Sequence, residues 1–398
     1  MRRAILGQGL SFAAMLLPPL MGRVDAMPEL VFASSAAAVI YQAMGFAFQE
    51  LFPVSRNARE ASICIIASYW VPALMMGVMA AVSLAFPAVY PRFSRNAGYV
   101  ALMLLSTAIY NLALAHAVRS ANLRALNGMR LLYGTLTFAL TGAFCYFRKS
   151  DDAAVLATAS ALLLASAAGW AYWRDLFPML RAAWSGITVS DVLSYNRLNL
   201  TAALGNLVAS LAFQAGGLAL PRLGRVAGDW AVIARVSAGF GTVGQQIIAP
   251  PLEMRFAQAM RENDVRAAIQ VQARAALLGV LVGLGAAIAC SLLLMLNVRH
   301  SEMGMPGAGL LMLASAYSLA LGLTSVMIRY LVMLGGQRYF LMMSCAKVTV
   351  IALGFALAGR GIALLAVIVG CEVVFQPLYA GVIRLSLRRM QWPEAKPL

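Results

Sequence analysis

Charge is scarce in this chain. Only 12% of its 398 residues are Asp, Glu, Lys or Arg, against about 25% in soluble globular domains. With 62% hydrophobic residues, a soluble fold could not cover the apolar surface that remains. Histidine is scarcer still: there are two, His116 and His300, which disfavours histidine-rich metal transport. The five cysteines, Cys64, Cys145, Cys290, Cys345 and Cys371, all stand in apolar segments. They form no CxxC and no paired spacing, so neither a disulfide framework nor a zinc site is expected. Also missing are a Walker phosphate loop, a Gly-x-Ser-x-Gly elbow and an acidic pair at metal-holding spacing. No catalytic residue, metal or cofactor is therefore expected, and the chain reads as a non-enzyme.

What the sequence has in abundance is long apolar runs, recurring from end to end. A single anchor on a soluble domain would show one such run, and an outer-membrane barrel would show alternation over about ten residues. A hydrocarbon core about 30 Å thick needs about 20 apolar residues per helix. On that scale spans fall near 4–22, 30–50, 62–86, 97–118, 131–147, 153–173, 197–219, 229–250, 270–297, 306–334, 342–358 and 361–383. The expected fold is all-α: a polytopic membrane protein of about 12 transmembrane helices.

A net charge of +16 would point to nucleic acid in a soluble protein. Here the basic residues cluster in alternate loops, as at Arg119, Arg124 and Arg130, or Arg255, Arg261 and Arg266. That is the positive-inside pattern, and it places both termini in the cytoplasm of a cell with the chain in its inner membrane. No nucleic-acid partner is expected. A competing reading takes Met1 to Ala26 as a cleaved signal peptide, since Arg2-Arg3 precedes an apolar run and Val24-Asp25-Ala26 tolerates cleavage. It would invert every loop whose charge fits.

Two loops share an order of residues. Asn127-Gly128-Met129-Arg130-Leu131-Leu132-Tyr133 leads into the fifth span and Gly335-Gly336-Gln337-Arg338-Tyr339-Phe340 into the eleventh. A duplication into two six-helix bundles, residues 1–182 and 183–398, around a central cavity would place both loops equivalently.

Polar residues inside spans are site candidates because a charge at helix centre costs about 2.5–3.5 kcal/mol on insertion scales. At about 100° per residue, Asn199, Asn206 and Ser210 share one face of the seventh span, with Asn196 and Gln214 at its edges. The eighth span carries Arg235, Thr242 and Gln246 with Gly239, and the tenth carries Ser318, Ser325 and Arg329 with Gly322. The twelfth carries Glu372, Gln376 and Tyr379 beside Pro377, which could bend it. These stripes either bind helices together through interhelical hydrogen bonds or line a hydrated path. On the second reading Arg235, Arg329, Asn199, Asn206, Gln214, Gln246 and Gln376 line a substrate path, and Glu372 takes up a coupling ion or proton. On the first, Glu372 pairs with Lys347 or Arg329; Lys347 itself, near a cytoplasmic end, is expected to snorkel. In the first half Asp25, Glu29, Glu50 and Glu60 lie in loops or at span ends.

Two further stretches have readings of their own. Gly279, Gly283 and Gly285 form a small-residue patch expected to pack helices closely. After Pro250-Pro251, the residues from Glu253 to Arg274 alternate Arg with Met, Phe and Ile, as expected of an amphipathic helix on the cytoplasmic membrane surface or one gating the cytoplasmic mouth.

Gly228-Asp229-Trp230-Ala231-Val232-Ile233-Ala234-Arg235-Val236, followed by Gly244 through Pro250-Pro251 and a basic loop, resembles the eighth-span region of Wzx-type polysaccharide flippases. The close, from Gly359-Arg360-Gly361-Ile362-Ala363 through Arg384, looks like the final span of that family. The family lies in the superfamily that also holds multidrug and toxin exporters. The resemblance implies a MATE-like, alternating-access flippase for an undecaprenyl-diphosphate-linked glycan in the bacterial inner membrane. It implies lipid-linked glycan and membrane lipids as partners, alongside a polysaccharide polymerase and glycosyltransferases. It carries an anionic-headgroup role to Arg235. Where many relatives have an acid in the seventh span, this chain has Gln214. The rival readings are a cation-coupled multidrug or small-molecule exporter and a membrane-embedded glycosyltransferase or polymerase subunit.

Overall fold

The computed structural model describes residues 2–46, 48–52, 55, 57–85, 91–120, 122–147, 150–169, 174, 176–244, 248–262, 264–298, 308–333, 337–358 and 360–389. Among them the regular structure is helical: α1 Arg2–Leu20, α2 Met27–Met44, α3 Phe48–Leu51, α4 Ala58–Ala85, α5 Pro91–Arg119, α6 Leu123–Phe147, α7 Ala153–Gly169, α8 Leu176–Trp184, α9 Val189–Leu218, α10 Ala227–Val243, α11 Ala249–Arg261, α12 Val265–Val298, α13 Ala308–Met333, α14 Gln337–Leu357 and α15 Ile362–Arg389. Setting aside the short α3, α8 and α11, the long helices fall one by one on the expected spans. Among the described residues six stretches are long and apolar enough to cross a membrane on those grounds alone. Rows of exposed aliphatics such as Leu74 and Val78 on α4, or Leu277, Leu281 and Ile288 on α12, make this a multi-pass membrane fold, since such faces are at rest only against lipid.

The helices begin where polar side chains take up orphan amide groups. Asn57 Oδ1 accepts from the Glu60 amide at 2.8 Å and its Nδ2 donates to Glu60 Oε1 at 3.3 Å, a reciprocal cap that opens α4. Thr188 and Asp191 do the same for α9. Asn122 and Asp264 accept from Ala125 and Ala267 to open α6 and α12.

Contacts divide the chain into two compact units, Met1–Leu218 and Ala219–Leu398. In the first, α2, α4 and α7 pack on α5, and α6 packs on α7 and α1. The α1–α6 crossing is set by glycine: a Cβ on Gly134 would overlap the Gly7 carbonyl oxygen. In the second unit α10, α12 and α15 pack on α13, and α14 packs on α15. The arrangement around α13 thus repeats the one around α5. Gly279 and Gly283 meet the α13 backbone as expected; a Cβ on Gly322 would lie 2.5 Å from the Gly279 carbonyl oxygen and from the Gly283 nitrogen. Gly285 faces the Phe240 ring instead. Of the shared loop, Gly335 and Gly336 lie outside the described residues.

Two expectations change. Helix α9 belongs by its contacts to the first unit, where it packs on α2 and α4. Hydropathy and loop charge place a helix in the bilayer but do not choose its neighbours. The amphipathic stretch from Glu253 to Arg274 is two helices, broken by a turn near 262–264. The apolar face of α11 (Leu252, Phe256 and Ala259) is buried in the second unit, with Phe256 stacked on Tyr330 at 4.5 Å between ring centroids. An apolar face with a protein partner at hand has no need of the membrane surface.

Candidate functional site

The first unit has a polar interior that the sequence reading missed. Tyr41 and Tyr69 face each other with their hydroxyls 2.9 Å apart, and Tyr69 donates to the Ala108 carbonyl at 3.2 Å. Tyr195, on α9, lies 3.1 Å from the Cys64 thiol and donates to the Phe46 carbonyl at 3.2 Å. Phe46 has φ of 42°, a left-handed conformation rare outside glycine. Asn196 is placed so that its Oδ1 accepts from Trp70 Nε1 at 2.7 Å while its Nδ2 donates to the Ala67 carbonyl at 3.1 Å. These bonds hold the start of α9 on α4. Further along, a Cβ on Gly217 would overlap Ser35 Oγ, so α9 closes onto α2 where glycine leaves room. Tyrosine and tryptophan are grouped with the hydrophobic residues in the composition, so of this network only Asn196 stood out in the sequence. The signal was there in the intramembrane positions of Tyr41, Tyr69 and Tyr195.

At its exposed end α9 is tied by charge. Arg59 lies 3.2 Å from Asp191 Oδ2. The Thr188 backbone amide, then its hydroxyl, and more weakly Arg59, hold the Asp191 carboxyl below the usual carboxylate range.

The α9 stripe divides. Asn199 is half-buried and donates to the Tyr195 carbonyl at 2.9 Å within its own helix, while Asn206 and Gln214 are half-buried. All three lie in the first unit.

In the second unit several of the stripe residues join helices. Ser237 on α10 and Ser318 on α13 have hydroxyls 2.8 Å apart, with Cys290 of α12 beside both. Ser325 donates to the Gly322 carbonyl at 2.7 Å. Gln376 donates to the Thr324 hydroxyl, joining α15 to α13. Arg235 is half-buried on α10, and Thr242 is exposed. Gln246 and the Arg329 side chain lie outside the described residues.

Glu372 is 2% exposed and Lys347 9%, and Lys347 Nζ lies 2.5 Å from Glu372 Oε1. Lys347 therefore does not snorkel. A buried carboxylate on the next helix attracts it more than the distant membrane edge does. All five cysteines are free thiols, and no cluster of three or more His, Cys, Asp and Glu occurs among the described residues.

Each unit also has an apolar cavity on its repeated helix pair. One of about 150 Å³ lies between α4 and α5, lined by Tyr69, Pro72, Met76, Leu104 and Ala108. One of about 510 Å³ lies among α12, α13 and α15, lined by Leu319, Ala320, Leu323, Gln376, Pro377 and Tyr379.

The fold is shared over nearly the whole chain with solved membrane proteins. It is similar to an inward-facing multidrug resistance MATE family transporter of the MOP superfamily, with a TM-score of 0.64 and 13% identity over 99% of this chain and 96% of that one. It is also similar to the Vibrio cholerae MATE transporter VcmN in its bent form, with a TM-score of 0.51 and 15% identity over 98% of this chain and 99% of that one. No protein-family signature matches the chain, and no curated protein matches its sequence.

Proposed function

We propose that this protein is a secondary exporter that moves an amphiphilic small molecule across the membrane by exposing its interior alternately to each side. The observation that carries this reading is the likeness, over nearly the whole chain, to a multidrug resistance MATE family transporter. The polar interiors add to it. Both units bury hydrogen-bonding groups between membrane helices, where an amphiphile finds polar partners beside apolar walls. Asn199, Asn206 and Gln214 in the first unit and Arg235 and Gln376 in the second are the path residues on this reading; Gln246 and the Arg329 side chain, which the sequence assigns to the same role, lie outside the described residues. Glu372 is the coupling carboxylate.

A second reading keeps the lipid-linked glycan as cargo, with the phosphate charge attracted by Arg235. It is favoured by the half-buried Arg235 on α10 and by the absence of any Asp or Glu between residues 61 and 150. The glycosyltransferase or polymerase reading has no comparable support.

One experiment separates the two. The gene is deleted and re-expressed in cells stripped of their own exporters, and dye accumulation and lipid-linked glycan intermediates are followed together. Lower dye accumulation on expression supports the exporter. Build-up of the intermediate on deletion, with unchanged dye, supports the flippase. No change in either rejects both.

A further inference from the structure

Lys347 and Glu372 meet as full charges inside the second unit, and hydroxyl-bearing residues stand on the helices around them. Tyr317 on α13 is buried and within electrostatic reach of Glu372. Ser344 is buried about one turn before Lys347 on α14, within electrostatic reach of Tyr379, about two turns after Glu372 on α15. The ammonium thus meets its carboxylate in a buried neighbourhood to which α13, α14 and α15 each bring a hydroxyl-bearing side chain.

As a device for stability alone this is a poor choice. Taking both charges from water carries a penalty that their attraction barely offsets, and apolar residues of similar volume often serve as well or better. A carboxylate with hydroxyl oxygens is instead the hard ligand set that alkali and other hard cations favour. An ammonium is itself a monovalent cation, of a size near that of potassium, and its covalent tether keeps its local concentration high whatever the bulk solution holds.

We infer that Lys347 is a built-in cation occupying a monovalent-cation seat on Glu372, so that the second unit supplies its own counter-ion and takes up no dissolved sodium or potassium. This rests on the reading of Glu372 as the coupling carboxylate and makes the species that it couples a proton, not a dissolved metal cation. It does not depend on which cargo is moved. Its consequence is that removing the ammonium uncovers a site for a free monovalent cation.

The test uses the purified full-length chain in nanodiscs. Thermal unfolding is followed in potassium chloride, sodium chloride and choline chloride at equal ionic strength. Wild type is expected to give one midpoint in all three salts. Lys347→Ala is expected to unfold lower in choline chloride and to recover saturably with potassium, sodium or n-propylammonium chloride. Lys347→Ala combined with Glu372→Gln should lose that response. If Lys347→Ala does not fold, Lys347→Met, which keeps the stem and removes the charge, is read in the same way.

Saturable stabilisation of the wild type by potassium or sodium over choline would overturn the inference, because the seat would then be open. So would a folded Lys347 variant indifferent to all three cations. These measurements involve no transport, so their failure and the failure of the export reading are seen separately.

Discussion

In the interior of the first unit the polar contacts that join helices come from neutral groups, Tyr41 with Tyr69, Tyr195 with Cys64, and Asn196 with Trp70, while its ion pairs, Arg59 with Asp191 and Arg95 with Glu29, lie where one partner is exposed. In the second unit neutral contacts such as Ser237 with Ser318 stand beside a full ion pair, Lys347 with Glu372. Two bundles with the same helix neighbours around α5 and α13 therefore bury polarity in different ways. A neutral hydroxyl pair loses little if one partner goes. A buried ion pair that loses one member leaves a naked charge. The second unit should accordingly be the more fragile to single substitutions and the more open to control by ions.

The largest effect expected on this comparison is that of Glu372→Ala. It strands the Lys347 ammonium and should lower stability by about 3–5 kcal/mol, whereas the double variant Lys347→Met with Glu372→Leu, which replaces both charges by apolar side chains, should recover most of the loss. Denaturation of the purified chain measures both. An undiminished single variant would mean that the pair is not isolated from water.

Next come the glycine crossings. Gly322→Val forces apart α12 and α13, and Gly134→Val forces apart α1 and α6; each should destabilise by about 1–3 kcal/mol or more, as over-packed cores do. Gly370→Ala, with open space around the added carbon, should be neutral or gain up to about 1 kcal/mol from helix propensity. Equal behaviour of the three would refute the close approach.

Smaller still, Tyr69→Phe and Tyr195→Phe should each lower stability by about 0.5–1.5 kcal/mol, near the average of about 0.6 kcal/mol for interhelical bonds in membranes. If either matched Glu372→Ala, the contrast between the units would fail.

The smallest effect lies outside the bilayer. Because Asp191 titrates below its unfolded value, its contribution to stability is present at neutral pH and is lost as pH falls through its folded-state value. Thermal scans from about pH 7 down to about pH 3 should therefore show a slightly shallower acid decline for Asp191→Asn than for wild type. Arg59→Ala should change little at neutral pH, as exposed pairs do.

The long helices were legible because the bilayer demands apolar runs of fixed length, but α4 and α9 start ahead of the expected 62 and 197, because polar caps at Asn57 and Thr188 set those starts and not the run of apolar residues. The glycine patch was legible too: Gly279 and Gly283 do meet a neighbouring helix. Lys347 was among the partners considered for Glu372, but spacing alone could not choose it over Arg329, since the choice depends on how α14 and α13 sit against α15. The side of α9 was not legible at all. It is decided by Tyr195, Asn196 and Gly217 finding partners on α4 and α2, far away in sequence. The serines of α13 were given two readings, and geometry selects helix bonding for Ser318, whose hydroxyl meets that of Ser237 on α10, a residue the sequence did not single out.

The backbone contact between α12 and α13 also limits how the second unit can move. With the Gly322 main chain seated between Gly279 and Gly283, neither helix can slide along the other without first lifting away from it. The two are keyed together like teeth, and any stroke that the protein makes must carry them as a single rod.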